Sequence, residues 1–469
     1  MRNPDVTLDA AAALSTDLAA LLSNPEAQAG PRRVHRLMSC VPAVDLLAWL
    51  QKQPESNKIF WSDREQAFAV AGIGAASLKT DRSGRGVEGL FEEMREELLS
   101  GHDDLRYYGG FRFDLGPARD AKWGPFGTYR FVLPQFELVA HGDDHYAACN
   151  VVLPDTAIDA RLADALRVRL ATLETSATPS QPEIPGVLRW SDTPDLRGWC
   201  DSVRDLLDAF ESGTLEKVVL ARESSFHLTG EADPVELLRV LMGNTTYSYH
   251  YLFQPEAGFG FIGASPEQLY KRVGAFLQSE AVAGTRPRGS TPEEDERLGK
   301  ELLSSEKERW EHRYVLDSIR DLFNDRCEAV WGGEDTELLV LRHCQHLQTR
   351  IEGRLTAADC DTELLTGLHP TPAVGGLPRD EALECIRTTE SFERGWYTGP
   401  VGWVGRDATE FAVAIRSALV RGSTLSVYAG AGIVPGSEPQ NEWDELENKI
   451  ADFRNILEGA GAPRETVQP

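Results

Sequence analysis

No two cysteines of this chain lie close enough along it to suggest a clip. Cys40, Cys149, Cys200, Cys327, Cys344, Cys360 and Cys385 are scattered, odd in number and never in a C-x-x-C pair. That pattern suits a reducing compartment rather than a disulfide framework. Long apolar runs are missing too, since none approaches the ~18 residues a membrane helix needs. The Ala/Leu-rich stretch from Leu8 to Leu22 is interrupted by Asp9 and Asp17 and preceded by the single positive charge of Arg2, so it lacks the regions of a signal peptide. Positive charge is scarce throughout: 48 Lys and Arg stand against 74 Asp and Glu, a net charge of -26. A nucleic-acid partner calls for a basic face, and none is expected here. The expectation is a cytoplasmic protein with neither a nucleic-acid nor a membrane partner.

What is present is a long mixed pattern. Residues 173–196, centred on Glu174 to Pro185, are Ser/Thr/Pro-rich and lack an apolar period, so they divide an N-terminal portion (1–175) from a C-terminal region (195–460). The first carries short strand-like runs bounded by Gly, Pro and Asp, such as Lys58 to Trp61, Ala67 to Val70 and Tyr129 to Leu133, and reads as an antiparallel sheet. In the second, helices at about 193–212, 233–243, 293–325, 378–388 and 440–458 alternate irregularly with strands at about 215–225, 248–263, 268–284, 337–353, 396–404, 409–420 and 424–431. Several strands follow one another through tight turns, which favours antiparallel pairing and an α+β fold, sheets covered by helices.

Two helical segments put carboxylates beside apolar positions. Glu308 and Glu311 lie one turn apart and lead into Val315 and Ile319. Glu442, Glu445 and Lys449 fall at i, i+3 and i+7 beside the row Trp443, Leu446, Ile450 and Phe453. Burying so much negative charge costs several kcal/mol per ion unless something neutralises it. A hard divalent cation would do so, and Mg²⁺ suits a site with few protein carboxylates and room for substrate oxygens.

Lys217 lies in the strand Leu215 to Arg222, which is apolar on both faces. Removed from water, a lysine loses part of its preference for the charged form and can act as a general base; the alternative is an edge ammonium that snorkels out. Glu267 ends the run Phe259 to Pro266, a strand followed by a small-residue turn that delivers a carboxylate, the alternative being a solvated loop glutamate. Gly284 and the pair Gly430 and Gly432 mark strand-end turns whose exposed N–H groups can take an anionic carboxylate. The second turn fails as a dinucleotide fingerprint, because Pro435 stands where the last glycine is needed. Arg416 is one guanidinium in an otherwise apolar strand and needs an anion, internal or bound. His343, Cys344 and His346 share a strand, but no second cluster completes a tetrahedral zinc set.

Seven motifs in order, Lys217 to Arg222, Gly263 to Glu267, Ala283 to Gly289, Ser305 to His312, Leu368 to Gly376, Ala414 to Ala418 and Ala429 to Val434, resemble the chorismate-utilising enzymes over residues 195–460. The resemblance implies a large two-layer antiparallel β core surrounded by helices, with the N-terminal portion packed into the same globule. It implies that Glu311 and Glu445 hold Mg²⁺, with Glu308 and Glu442 as ligands directly or through water. Arg416, Lys449 and the N–H of Gly284 would hold the enolpyruvyl carboxylate of chorismate. Thr285, His346, Ala373 and Gly432 would line the pocket, while Lys217 activates water and Glu267 protonates the departing hydroxyl. Ammonia-using members carry glutamine where Lys217 stands, and salicylate-forming members tend to carry threonine at Ala373. The pattern therefore resembles the isochorismate synthases, with no glutaminase subunit and a monomer as the expected state. Val44 to Leu50, Lys58 to Arg64 and Tyr108 to Asp114 look similar to the menaquinone-pathway form, although catecholate-siderophore synthases share the C-terminal motifs. A chorismate binder without catalysis is the non-enzyme alternative.

Overall fold

The computed structural model describes residues 6–459 apart from 24–31, 82–85, 117–119, 154–159, 174–181, 212 and 358–360. Two large antiparallel sheets, of twelve and ten strands, organise the chain. The first runs from Arg33–Cys40 at one edge to Lys217–Leu228 and the short Gly376–Leu377 at the other. The second runs from Cys327–Gly332 through Cys344–Leu355, Phe276–Pro287 and Gln268–Val273 to Ser77–Thr80. Strands from both sides of residues 173–196 share each sheet. Lys58–Ser62 pairs with Tyr249–Glu256, and Arg106–Phe111 pairs with Pro400–Gly405.

Three apolar clusters explain the layering. Aromatic side chains that include Trp61, Phe261 and Tyr428 of the first sheet and Tyr108 and Trp403 of the second pack into one cluster with Trp123, Phe126 and Trp396. Truncating a buried ring of that kind costs about 3–5 kcal/mol, so this cluster fixes how one sheet lies against the other. The other two clusters bury helices against a sheet, with Trp199, Val203 and Leu206 packed in one and Val315, Ile319 and Phe323 in the other. The fold is thus α+β, and two of the places where the chain crosses from sheet to sheet bear on the site: between Phe259–Ser265 and Gln268–Val273, and between Ala408–Val413 and Ser417–Arg421.

Several boundaries differ from the sequence reading. The helix expected over 293–325 is two, Pro292–Ser304 and Glu306–Arg326, because Ser305 takes extended backbone (φ -67, ψ 117) and its side chain accepts the N–H of Glu308. A serine satisfied in this way starts a helix rather than continuing one. The helix expected over 440–458 is likewise two, Pro439–Lys449 and Ala451–Gly459, joined at Ile450. The strands expected over 248–263 and 268–284 are hairpins that turn at Gly258 (φ 68) and Gly274 (φ 57). The strand expected over 409–420 stops at Val413 and resumes at Ser417, and Arg416 stands between them at φ 51 rather than inside a strand. His343 precedes the strand Cys344–Leu355 instead of lying in it. Within the region read as a linker, Val187–Thr193 is a strand paired with Glu223–Leu228, while its centre, 174–181, lies outside the described residues.

Candidate active site

Every site residue expected from the sequence lines one cavity where the two sheets part. Lys217 opens a strand that is buried almost throughout and is itself 2% exposed. Gly376, at φ 151, lets the neighbouring strand approach: a Cβ there would lie 2.2 Å from Lys217 O. Gly432 does the same for the side chain, since its Cβ would stand 3.0 Å from Lys217 Cε and 3.6 Å from Glu311 Oε2. At Gly376, where backbone passes so close, glycine is required. The Lys217 Nζ comes to rest 3.5 Å from Glu311 Oε2.

Glu267 occupies the crossover between the sheets. Its N–H donates to Ser265 Oγ and its carbonyl accepts from Val413 N, so the backbone is held on both sides while the side chain faces the cavity. Burial, and then the charge of Glu280, push its carboxyl up to about 8, against the opposing pull of Lys217 and Lys449. At neutral pH such a carboxyl carries a proton.

Four glutamates enter from two helices, Glu308 and Glu311 from Glu306–Arg326 and Glu442 and Glu445 from Pro439–Lys449. Each has a cation of the chain beside it: Arg286 at 2.7 Å from Glu308, Lys217 at 3.5 Å from Glu311, Lys307 at 3.6 Å from Glu442 and Lys449 at 2.6 Å from Glu445. Burial pushes Glu442 up, aided by the charges of Glu445 and Glu311. Burial also acts to raise Glu445, but the Lys449 ammonium outweighs it and holds that carboxyl below its usual range. No group of three acidic or histidine side chains is already gathered for a metal among the described residues. The donors nonetheless fit one. All are carboxylates, they repel one another across one cavity, and a hard cation would replace the lysines and arginine that now neutralise them.

The remaining residues shape the cavity wall. His346 is buried and held down to about 4, by burial and then by the Arg416 charge, so it is neutral. Its Nδ1 faces Gly284 O at 3.0 Å, an atom that can only accept, so the proton belongs on Nδ1, and Nε2 accepts from Cys344 Sγ at 3.3 Å. Thr285 Oγ1 lies 3.1 Å from the same Nδ1. Gly284 is at φ 74, and a Cβ there would reach Glu308 Oε2 at 3.0 Å. Arg416 donates to Lys449 O and to Cys344 Sγ, and among the described residues no carboxylate pairs with it, so the internal ion pair allowed by the sequence is absent. Lys449 Nζ donates to Gly430 O at 2.8 Å. Ala373 presents a methyl group to the cavity. The sequence reading gave no role to Lys307, Tyr397 or Thr398, which also line it. Lys307 sits between Glu306 and Glu308, one residue off the periodic glutamate pair, and that spacing was its only signal.

Two carboxylate-bearing helices, a buried lysine and a proton-bearing glutamate around one cavity are the arrangement of an enzyme active site. The chain belongs to the family described as "Chorismate binding enzyme", whose model matches residues 19–458. It is 31% identical over 423 residues to isochorismate synthase MenF of Bacillus subtilis, covering 87% of this chain and 89% of that one. It is 35% identical over 422 residues to isochorismate synthase 2, chloroplastic, of Arabidopsis thaliana, covering 87% and 75% respectively. The solved structure of MenF, the menaquinone-specific isochorismate synthase from Escherichia coli, superposes with a TM-score of 0.83 at 28% identity over 95% of this chain and 99% of that chain.

Proposed function

We propose that this chain is an isochorismate synthase, converting chorismate to isochorismate by addition of water at C2 and loss of the C4 hydroxyl. The observation that carries the reading is the pairing of two buried proton-handling groups on one cavity, Lys217 from the first sheet and Glu267 at the crossover to the second. Lys217 takes a proton from the attacking water, and Glu267 gives its proton to the leaving hydroxyl, which departs as water. One water enters, one leaves, and the ring double bonds shift between.

Glu311 and Glu445, with Glu308 and Glu442 beside them, would hold Mg²⁺. When bound, the ion supplies positive charge for the ring carboxylate and orients it. Arg416, which no carboxylate among the described residues pairs with, and the Gly284 amide fit the second carboxylate of the substrate, with Lys449 beside them. Neutral His346 orders Gly284 and Thr285 without competing for protons. The methyl group of Ala373 leaves the wall without a hydroxyl. The likeness to the menaquinone-specific enzyme, and the N-terminal motifs, support a place in menaquinone synthesis. The six free cysteines among the described residues support a reducing cytoplasm, and a cavity completed within one chain supports a monomer without a glutaminase.

Incubation of the purified protein with chorismate and Mg²⁺, followed by separation of products, tests the assignment. Isochorismate is the expected product; anthranilate, or salicylate as the main product, contradicts it.

A further inference from the structure

A second buried carboxylate stands behind the acid, and the reading above leaves it without a role. Glu280, on the strand Phe276–Pro287, is 3% exposed and does not line the cavity. Its oxygens accept from Arg64 Nη1 at 2.5 Å, from the main-chain N–H of Gln268 at 2.9 Å and from Gln348 Nε2 at 2.6 Å. The same Nη1 of Arg64 also donates to Pro266 O at 3.0 Å. One guanidinium thus touches the carbonyl just before Glu267 and, through Glu280, the amide just after it. Arg64 itself comes from the N-terminal portion and lies over the rings of Tyr247 and Tyr249, 4.8 and 5.2 Å from their centres.

Four groups act electrostatically on Glu267: Glu280 from its own sheet, Lys217 from the first sheet, Lys449 from the C-terminal helix and Tyr397 from the segment before Pro400. Arg64 and the Tyr249 phenol bear on Glu280. Of the two neighbouring carboxylates, Glu280 has three strong donors, while the described hydrogen bonds give the Glu267 carboxyl none. Two close carboxylates do not both ionise readily, and the better-hydrogen-bonded one takes the charge.

We propose that Glu280, paired with Arg64, is a positioning residue that fixes the turn carrying Glu267 and places a second carboxylate beside it, so that the acid arrives at the reaction still carrying its proton. The inference rests on the reading of Glu267 as the proton donor. It assigns the N-terminal portion a part in the chemistry through Arg64.

Glu280→Gln in the full chain keeps the shape and removes the charge. The high-pH limb of kcat is expected to move to lower pH by roughly one unit, while Glu280→Asp, which keeps the charge, leaves the limb in place. Infrared difference spectra should show the protonated carboxyl stretch, assigned by its loss in Glu267→Gln, titrating lower in Glu280→Gln. An unmoved limb and an unmoved infrared titration in a variant with a normal thermal melt overturn the proposal. Should Glu280→Gln not fold, Arg64→Lys keeps the cation but ends short of the Nη1 position that joins Pro266 O to Glu280, and is expected to lower kcat roughly tenfold with KM little changed; wild-type kcat would overturn the positioning role. A near wild-type rate in Glu267→Gln would instead remove the reading on which this one rests, and so is told apart from failure at Glu280.

Discussion

Lys217 Nζ and Glu311 Oε2 stand 3.5 Å apart, joining the first strand of the site to its first glutamate helix. The proposed base is thus tied to a proposed metal ligand. A cation on Glu311 would compete with Lys217 for the same carboxylate, so a metal and a cation of the chain exchange at one place.

The same exchange applies to all four glutamates. After chelation the protein should keep its fold, because each carboxylate already has a cation of the chain, and should lose turnover until Mg²⁺ is restored. Calorimetric titration with Mg²⁺ is expected to show roughly tenfold or greater weakening in Glu445→Gln, and tighter binding in Lys307→Ala, which removes a competitor for Glu442. Unchanged affinity in both variants would refute the ligand set.

Lys217→Ala and Glu267→Gln should each lower kcat by roughly 10² to 10⁴. Circular dichroism should show both folded. A rate near that of the wild type in either would refute its part in proton transfer.

Stability should depend on pH through Glu267. In the fold its carboxyl holds a proton to about 8, against 4.5 ordinarily, because burial disfavours the charge. The unfolded chain releases that proton first, so stability falls as pH rises from the ordinary carboxylate range towards 8. Glu267→Gln removes this term. Its melting temperature should match the wild type near pH 4 and exceed it increasingly towards pH 8; a constant difference across that range would contradict the assignment.

Gly432→Ala would set a methyl group against the ends of Lys217 and Glu311, both able to move aside. Thermal melting should change little, yet turnover should fall roughly tenfold or more, because the base is displaced from its place at the cavity. A fully active Gly432→Ala protein would show that Lys217 tolerates displacement.

The glutamate rows were legible because a helix is a local object: Glu308 and Glu311, or Glu442 and Glu445, share a side by their spacing alone, whatever the helix later packs against. Lys217 and Glu267 were legible as a strand lysine and a strand-end acid for the same local reason. The break at Ser305 turned on whether a serine capped its own turn, and sequence allowed either outcome. Arg416 adopts a left-handed turn because the chain changes sheets there, an event that no window of neighbouring residues records. The strand Val187–Thr193 is exposed over Leu188 to Ser191 and at Thr193, and owes its existence to pairing with Glu223–Leu228.

The amino-acid sequence alone therefore determined the kind of groups available, their periodicity and the α+β class, all of which depend on contacts within a few residues. Tertiary structure decided which charges meet. Arg64 reaches Glu280 across 216 positions of chain, and Glu308, Glu311 and Glu442 received their cations from other segments, whereas Lys449 pairs with Glu445 within one helix. Electrostatic partners follow distance in space and the exclusion of water, and both are settled only when the two sheets close on one another.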